Sequence, residues 1–106
     1  MAVTYKIKTG VLTTTLTTAI LTAPTATRIE IQVLRYSVTS AGGSITSSIL
    51  DTSTTVPGSL LQGTYIDKDN PIELNGLRLE ADDVLRSGYG AAATGAEYYI
   101  AYTEHT

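Results

Sequence analysis

Threonine constrains this chain more than any other residue type. Nineteen of the 106 residues are threonine and another eight are serine, together a quarter of the sequence. A β-branched side chain loses rotamer freedom in a helix and suits a pleated surface. Lysine, methionine and glutamine, which favour helices, are scarce. The composition therefore points to strands before any pattern is read. With 42% hydrophobic residues and a net charge of −3, the chain has enough apolar surface to fold. Its length fits one domain spanning residues 1–106 and leaves no room for a second core.

Alternation along the chain agrees. Val3, Tyr5 and Ile7 alternate with Thr4, Lys6 and Lys8, which reads as a half-buried edge strand with its lysines in water. Leu12, Leu16 and Ile20 are spaced for a helix stripe or for extended chain, and the threonines between them favour the extended form. Pro24 sets a turn before the clearest strand, Ala26 to Val38. There Ile29, Ile31 and Val33 share one phase while Leu34, Tyr36 and Val38 share the other. Such a slip calls for a β-bulge near Val33 and Leu34, or for cover on both faces.

Ser40 to Gly43 reads as a turn, Ile45 and Ile49 as a short strand, Asp51 to Ser59 as the longest loop, and Leu60 to Ile66 as a strand. Asn75-Gly76 between Ile72/Leu74 and Leu77/Leu79 is a hairpin signal. Val84 to Tyr89 and Glu97 to Thr103 close the list, with a one-turn helix capped by Asp82 as the alternative over Leu79 to Arg86. Seven to nine short strands with Gly and Pro turns predict an all-β fold, a single antiparallel β-sandwich or jelly-roll-like domain.

No constellation of residues carries catalysis. Cysteine is absent, and the single histidine, His105, is one residue from the end of the sequence. Thiolate chemistry, the common triads and multi-ligand zinc sites are thereby removed. Asp67, Asp69 and Asn70 begin like a calcium loop, but Pro71 and Ile72 stand where it needs an acceptor and a glycine. Their oxygens read as turn caps. Glu80, Asp82 and Asp83 read as a solvated turn. The expectation is of no enzyme activity, no cofactor and no metal. Seven basic residues scattered among ten acids make no nucleic-acid stripe. No apolar run approaches a membrane span, and Met1 to Lys6 does not open a secretory signal, which suggests synthesis in the cytoplasm.

All seven aromatic residues are tyrosine, and Tyr89, Tyr98, Tyr99 and Tyr102 lie toward the C-terminal end. Tyrosine serves cores, subunit contacts and ligand platforms alike. In the last strand Tyr98, Ile100 and Tyr102 share one face, while Tyr99, Ala101 and Thr103 share the other. The face holding Ile100 is the better core candidate. Tyr99, Ala101 and Thr103, with Tyr89, are then the candidate subunit interface.

Two stretches carry a resemblance. LTAPTATRIEIQVLRYSVTSAGG, residues 21–43, leads a Thr-Ala-Pro turn into a long strand and a turn of small residues. NPIELNGLRLEADDVLRSGYG, residues 70–90, joins a Pro-Ile strand, a Leu-x-Leu pair, an acidic turn and a strand entering small residues. Together they resemble bacteriophage virion structural proteins of the small β-sandwich decoration and tail-accessory type. In that pattern the turn is usually Ala-Gly-Asp, and here Asp82 stands at the glycine position. The resemblance implies a non-enzymatic subunit located in the virion and made in the host cytoplasm. It implies assembly with further copies of itself and with other virion proteins such as a major capsid protein. A capsid decoration subunit comes first and a tail or head–tail accessory protein second. A carbohydrate-binding module using exposed tyrosines is the competing class.

Overall fold

The computed structural model describes residues 2–13, 17–39, 42–51, 56–90 and 95–106. Eight strands follow in order: β1 (Val3–Leu12), β2 (Thr18–Thr22), β3 (Arg28–Ser37), β4 (Gly43–Asp51), β5 (Val56–Ile66), β6 (Ile72–Leu79), β7 (Val84–Tyr89) and β8 (Ala96–His105). A front sheet runs β1-β8-β3-β6 and a back sheet β2-β7-β4-β5, all pairs antiparallel. The pairs β1–β8, β2–β7, β3–β6 and β4–β5 are nested, as if one long hairpin had been rolled up. That is the double-sheet jelly roll. The chain is thus all-β, and no helix occurs among the described residues; Leu79 to Arg86 is strand, turn and strand.

The inward phases of both sheets supply the core. Ile29, Ile31, Leu34, Tyr36, Leu79, Ile100 and Tyr102 come from the front; Ile20, Leu21, Ile45, Ile66, Leu85 and Tyr89 from the back. The phase slip in β3 is a bulge centred on Gln32: Ile31 pairs with Tyr102 and Val33 with Ala101. One extra residue in β3 carries the apolar set from odd to even positions without turning either half outward.

Four expectations need correction. Asn75-Gly76 makes no hairpin; β6 runs through it, with Val33 opposite Asn75 and Ile31 opposite Leu77. Gly76 instead takes φ +71 across from the Gln32 bulge, a left-handed conformation inside a strand that glycine adopts without strain. The described residues of the expected 51–59 loop are strand: Asp51 ends β4, and β5 begins at Val56, paired with it. β1 is an edge strand, but it is not half-buried: its first seven residues are all exposed. Its orientation is also reversed. Lys6 pairs in register with Tyr102 and Lys8 with Ile100, so the lysines project from the inner side and Val3, Tyr5 and Ile7 from the outer.

Positions 1, 14–16, 40–41, 52–55 and 91–94 lie outside the described residues, so Met1, Leu16, part of the Ser40–Gly43 turn and most of the small-residue tract before Gly95 do too. On either side of 14–16, Leu12 ends β1 and Ile20 sits in β2, both buried.

Candidate subunit interface

Register fixes which side chains share the outer surface of the front sheet. The row Ile7–Ala101–Val33–Asn75 crosses its middle. On one side lie Tyr5–Thr103–Glu30–Arg78 and then Val3–His105–Arg28; on the other, Thr9–Tyr99–Arg35–Glu73 and then Val11–Glu97–Ser37. Apolar side chains therefore gather over β1 and β8, and charges over β3 and β6.

Exposure makes this surface unusual. Six large apolar side chains are exposed among the described residues, and five are here: Val3 (52%), Tyr5 (82%), Ile7 (65%), Val11 (56%) and Tyr99 (39%). Tyr65, the sixth, is on the back sheet. Large exposed apolar patches rimmed by polar residues are where interaction sites are sought, which makes this face the candidate. Lys6 and Lys8 on the opposite side of β1 oppose edge-to-edge pairing, because a neighbouring strand would have to accommodate them. Lys6 Nζ lies 2.5 Å from Glu104 Oε1. That hydrogen bond, and then the charge of Glu104, raises the lysine above its ordinary pKa.

The charged flank is internally organised. Glu30 receives Arg78 (3.2 Å), Arg28 (3.5 Å) and His105 Nε2 (3.2 Å). Arg35 and Glu73, register partners at the other end, make no ion pair among the described residues. His105 is thus held in a sheet rather than frayed, with Thr103 Oγ1 2.9 Å from its Nε2.

The four residues expected at the interface divide. Tyr99 and Ala101 lie on the outer surface as their phase requires. Thr103 has that phase but is only 3% exposed, because Gln32, donating to its hydroxyl (3.4 Å), and His105 lie against it. Tyr89 is fully buried on the inner face of the back sheet beside Ile45. Tyr89 is thereby corrected to the interior of the subunit, whereas Thr103 keeps its outward phase beneath the side chains that cover it. Val3, Tyr5, Ile7 and Val11 lie on this same outer surface, although the alternation of Val3, Tyr5 and Ile7 with lysine reads as the buried side.

Two further polar groups have structural work. Asp67 Oδ1 accepts from the Asp69 backbone N–H and the Asn70 amide, both at 2.9 Å, closing the turn between β5 and β6. Asp82 adopts φ +69, the conformation glycine favours, and accepts from Thr25 Oγ1 at 2.9 Å. Ala23 N–H to Asp83 O (3.0 Å) and Asp82 N–H to Ala23 O (2.9 Å) lace the two turns at this end of the sandwich. No helix among the described residues is long and apolar enough to cross a membrane. No family model matches the sequence, and a search of curated proteins finds no match to it.

Proposed function

We propose that this chain is a non-enzymatic virion subunit, a capsid decoration protein that works by packing its front sheet against other subunits. The observation that carries the reading is the gathering of Val3, Tyr5, Ile7, Val11 and Tyr99 on one outer face. Leaving that much apolar side chain in water costs free energy that association recovers, at about 25 cal/mol per Å² covered. Many copies on a shell then add weak contacts through multivalency. The sequence resemblance in residues 21–43 and 70–90 supplies the virion context. The jelly roll recurs in viral capsid and lectin domains, so the fold itself accommodates both this reading and a sugar-binding one.

The test is cosedimentation of the purified protein with capsid shells assembled from the major capsid protein of the same genome. Saturable binding, reduced by Tyr99→Ser and by Ile7→Lys, is the expected result. Saturable binding to an immobilised glycan, competed by the free sugar and without shell binding, overturns the reading in favour of a carbohydrate-binding module.

A further inference from the structure

We infer that the occupant of the front sheet's outer face is a second copy of the same face, stacked about a two-fold axis. This rests on the reading of the chain as a packing subunit; with the face covered by a second copy, Tyr99→Ser and Ile7→Lys weaken shell binding by splitting the bivalent pair rather than by removing a direct shell contact. The axis lies in the interface, across the strands, along the row Ile7–Ala101–Val33–Asn75. A rotation about that line reverses the strands and lays each outer row on the row equally far from the centre.

The rows are complementary under this operation. The Tyr5 row falls on the partner's Thr9 row, which sets Glu30 opposite Arg35 and Arg78 opposite Glu73. Thr103 then meets Tyr99. In the outermost rows Val3 meets Val11 and His105 meets Glu97. One end of the face carries Arg28, Arg78 and Glu30, an excess of one positive charge; the other carries Arg35, Glu73 and Glu97, an excess of one negative charge. The three arginines and three glutamates cancel, so the net −3 of the chain lies elsewhere. Self-association of a face with a strong charge of one sign would be opposed by repulsion; this face has none. Arg35 and Glu73, which make no ion pair among the described residues, gain them in the pair.

Size agrees. Four strands of eight to ten residues, at about 4.8 Å spacing and ~3.3 Å per residue, make a face of roughly 600 Å² in projection. Side-chain relief brings this toward the roughly 800 Å² per partner of a stable interface. Two sheets packed face to face keep their strand directions within about 30°, so rows remain opposite rows near the axis. The contact is isologous and closed, the commonest oligomer symmetry. The stack would place Ile7, Ala101 and Val33 on the axis and leave the β6 charges toward the rim.

Exchanging charges within a row tests the geometry while keeping each row's lateral neighbours opposite in sign. In a self-pair, the variant Glu30→Arg/Arg78→Glu sets its new arginine against the partner's unchanged Arg35 and its new glutamate against the unchanged Glu73. The variant Arg35→Glu/Glu73→Arg creates the reverse clash. Each alone should lose dimerisation by at least roughly tenfold, since like charges at an interface are strongly unfavourable. Mixed one to one, they present opposite charges at every such contact and should form a heterodimer; the fourfold variant should recover the homodimer. Sedimentation velocity on each protein and on the mixture reads all three states, with circular dichroism confirming that the variants fold. A wild-type dimer whose half-swapped variants still self-associate overturns this geometry but leaves self-packing intact. A wild type that stays monomeric up to about 1 mM overturns the second-copy partner altogether, and shell binding then stands or falls on its own cosedimentation. A variant that fails to fold is replaced by Ile7→Lys, on the axis, where two lysines meet; unchanged dimerisation there also overturns the inference.

Discussion

The hydroxyl of Tyr36, on the inner face of β3, lies 2.9 Å from the hydroxyl of Ser47 on β4 and so joins the front sheet to the back sheet through the middle of the core. Ser87 on β7 completes the group, hydrogen-bonded to Tyr36 and 3.2 Å from Ser47. All three side chains are fully buried. In a closed ring of three hydroxyls each donates once and accepts once, so each oxygen, although out of water, has its hydrogen-bonding need met. An apolar core alone allows two sheets to slide; a polar ring with members on three strands fixes their relative position.

Tyr36→Phe should therefore keep the fold and lower stability by about 1–2 kcal/mol. Ser47 and Ser87 keep each other as partners, which limits the loss. Denaturant unfolding should show a lower midpoint with an unchanged slope. A change in slope would mean that the ring holds the native state compact rather than merely stabilising it.

The same tyrosine makes stability pH-dependent. Burial raises the pKa of Tyr36 above its ordinary 10.0, with the hydrogen bonds to Ser47 and Ser87 acting in the other direction. Burial, and then the charge of Glu104, raises Tyr102 as well. A raised folded-state pKa means the native protein holds the proton that the unfolded chain releases first. The stability it contributes is complete below pH 10 and is lost as pH climbs past 10 toward the folded-state values. Each group steepens the loss by at most about 1.4 kcal/mol per pH unit. Thermal melts from about pH 8 to about pH 12 should be flat and then fall, and Tyr36→Phe should fall less steeply than wild type.

Much of this arrangement is legible in the residues. Tyr98, Ile100 and Tyr102 alternate with Tyr99 and Ala101, and the structure turns the first set inward as read. The β3 slip announces its bulge. Ser47 and Ser87 are less visible, because serine counts as surface; yet each occupies the apolar phase of its strand, Ile45-x-Ser47-x-Ile49 and Leu85-x-Ser87-x-Tyr89. β1 misleads for a physical reason. Alternation defines two faces but not which is inside, and lysine normally marks water. Here Thr4, Lys6 and Lys8 project on the inner side but remain exposed, since the back sheet does not cover them. The nested pairing itself joins residues up to about a hundred positions apart, as Val3 does with His105, and leaves no local signal.

Gly76 provides a clean backbone probe. Its φ is +71 and a Cβ there would meet nothing within 4 Å. Gly76→Ala should cost about 1–2 kcal/mol from conformation alone. Gly58, in β5, has no positive φ, and its Cβ would touch only the Ile49 carbonyl at 3.7 Å. Gly58→Ala should be neutral or stabilise by about 0.4–1 kcal/mol through the unfolded chain. Equal effects at the two positions would contradict the left-handed conformation of Gly76 across from the Gln32 bulge in β3.

Ile7 separates the fold from the surface. A β1 strand with Ile7 inside predicts that Ile7→Thr removes core packing and costs several times more than an exposed change. The register observed sets Ile7 outside, beside Ala101, and mostly in water. Ile7→Thr should then change monomer stability by no more than about 0.5 kcal/mol. Ile100, on β8 and on the opposite face of the sheet, is fully buried, and Ile100→Thr should cost about 2 kcal/mol or more from lost transfer energy and a buried hydroxyl. Urea unfolding of both variants at a concentration where the protein is monomeric gives the comparison. Comparable losses would return β1 to the opposite orientation and remove Val3, Tyr5 and Val11 from the exposed face together with Ile7, since one alternation fixes all four.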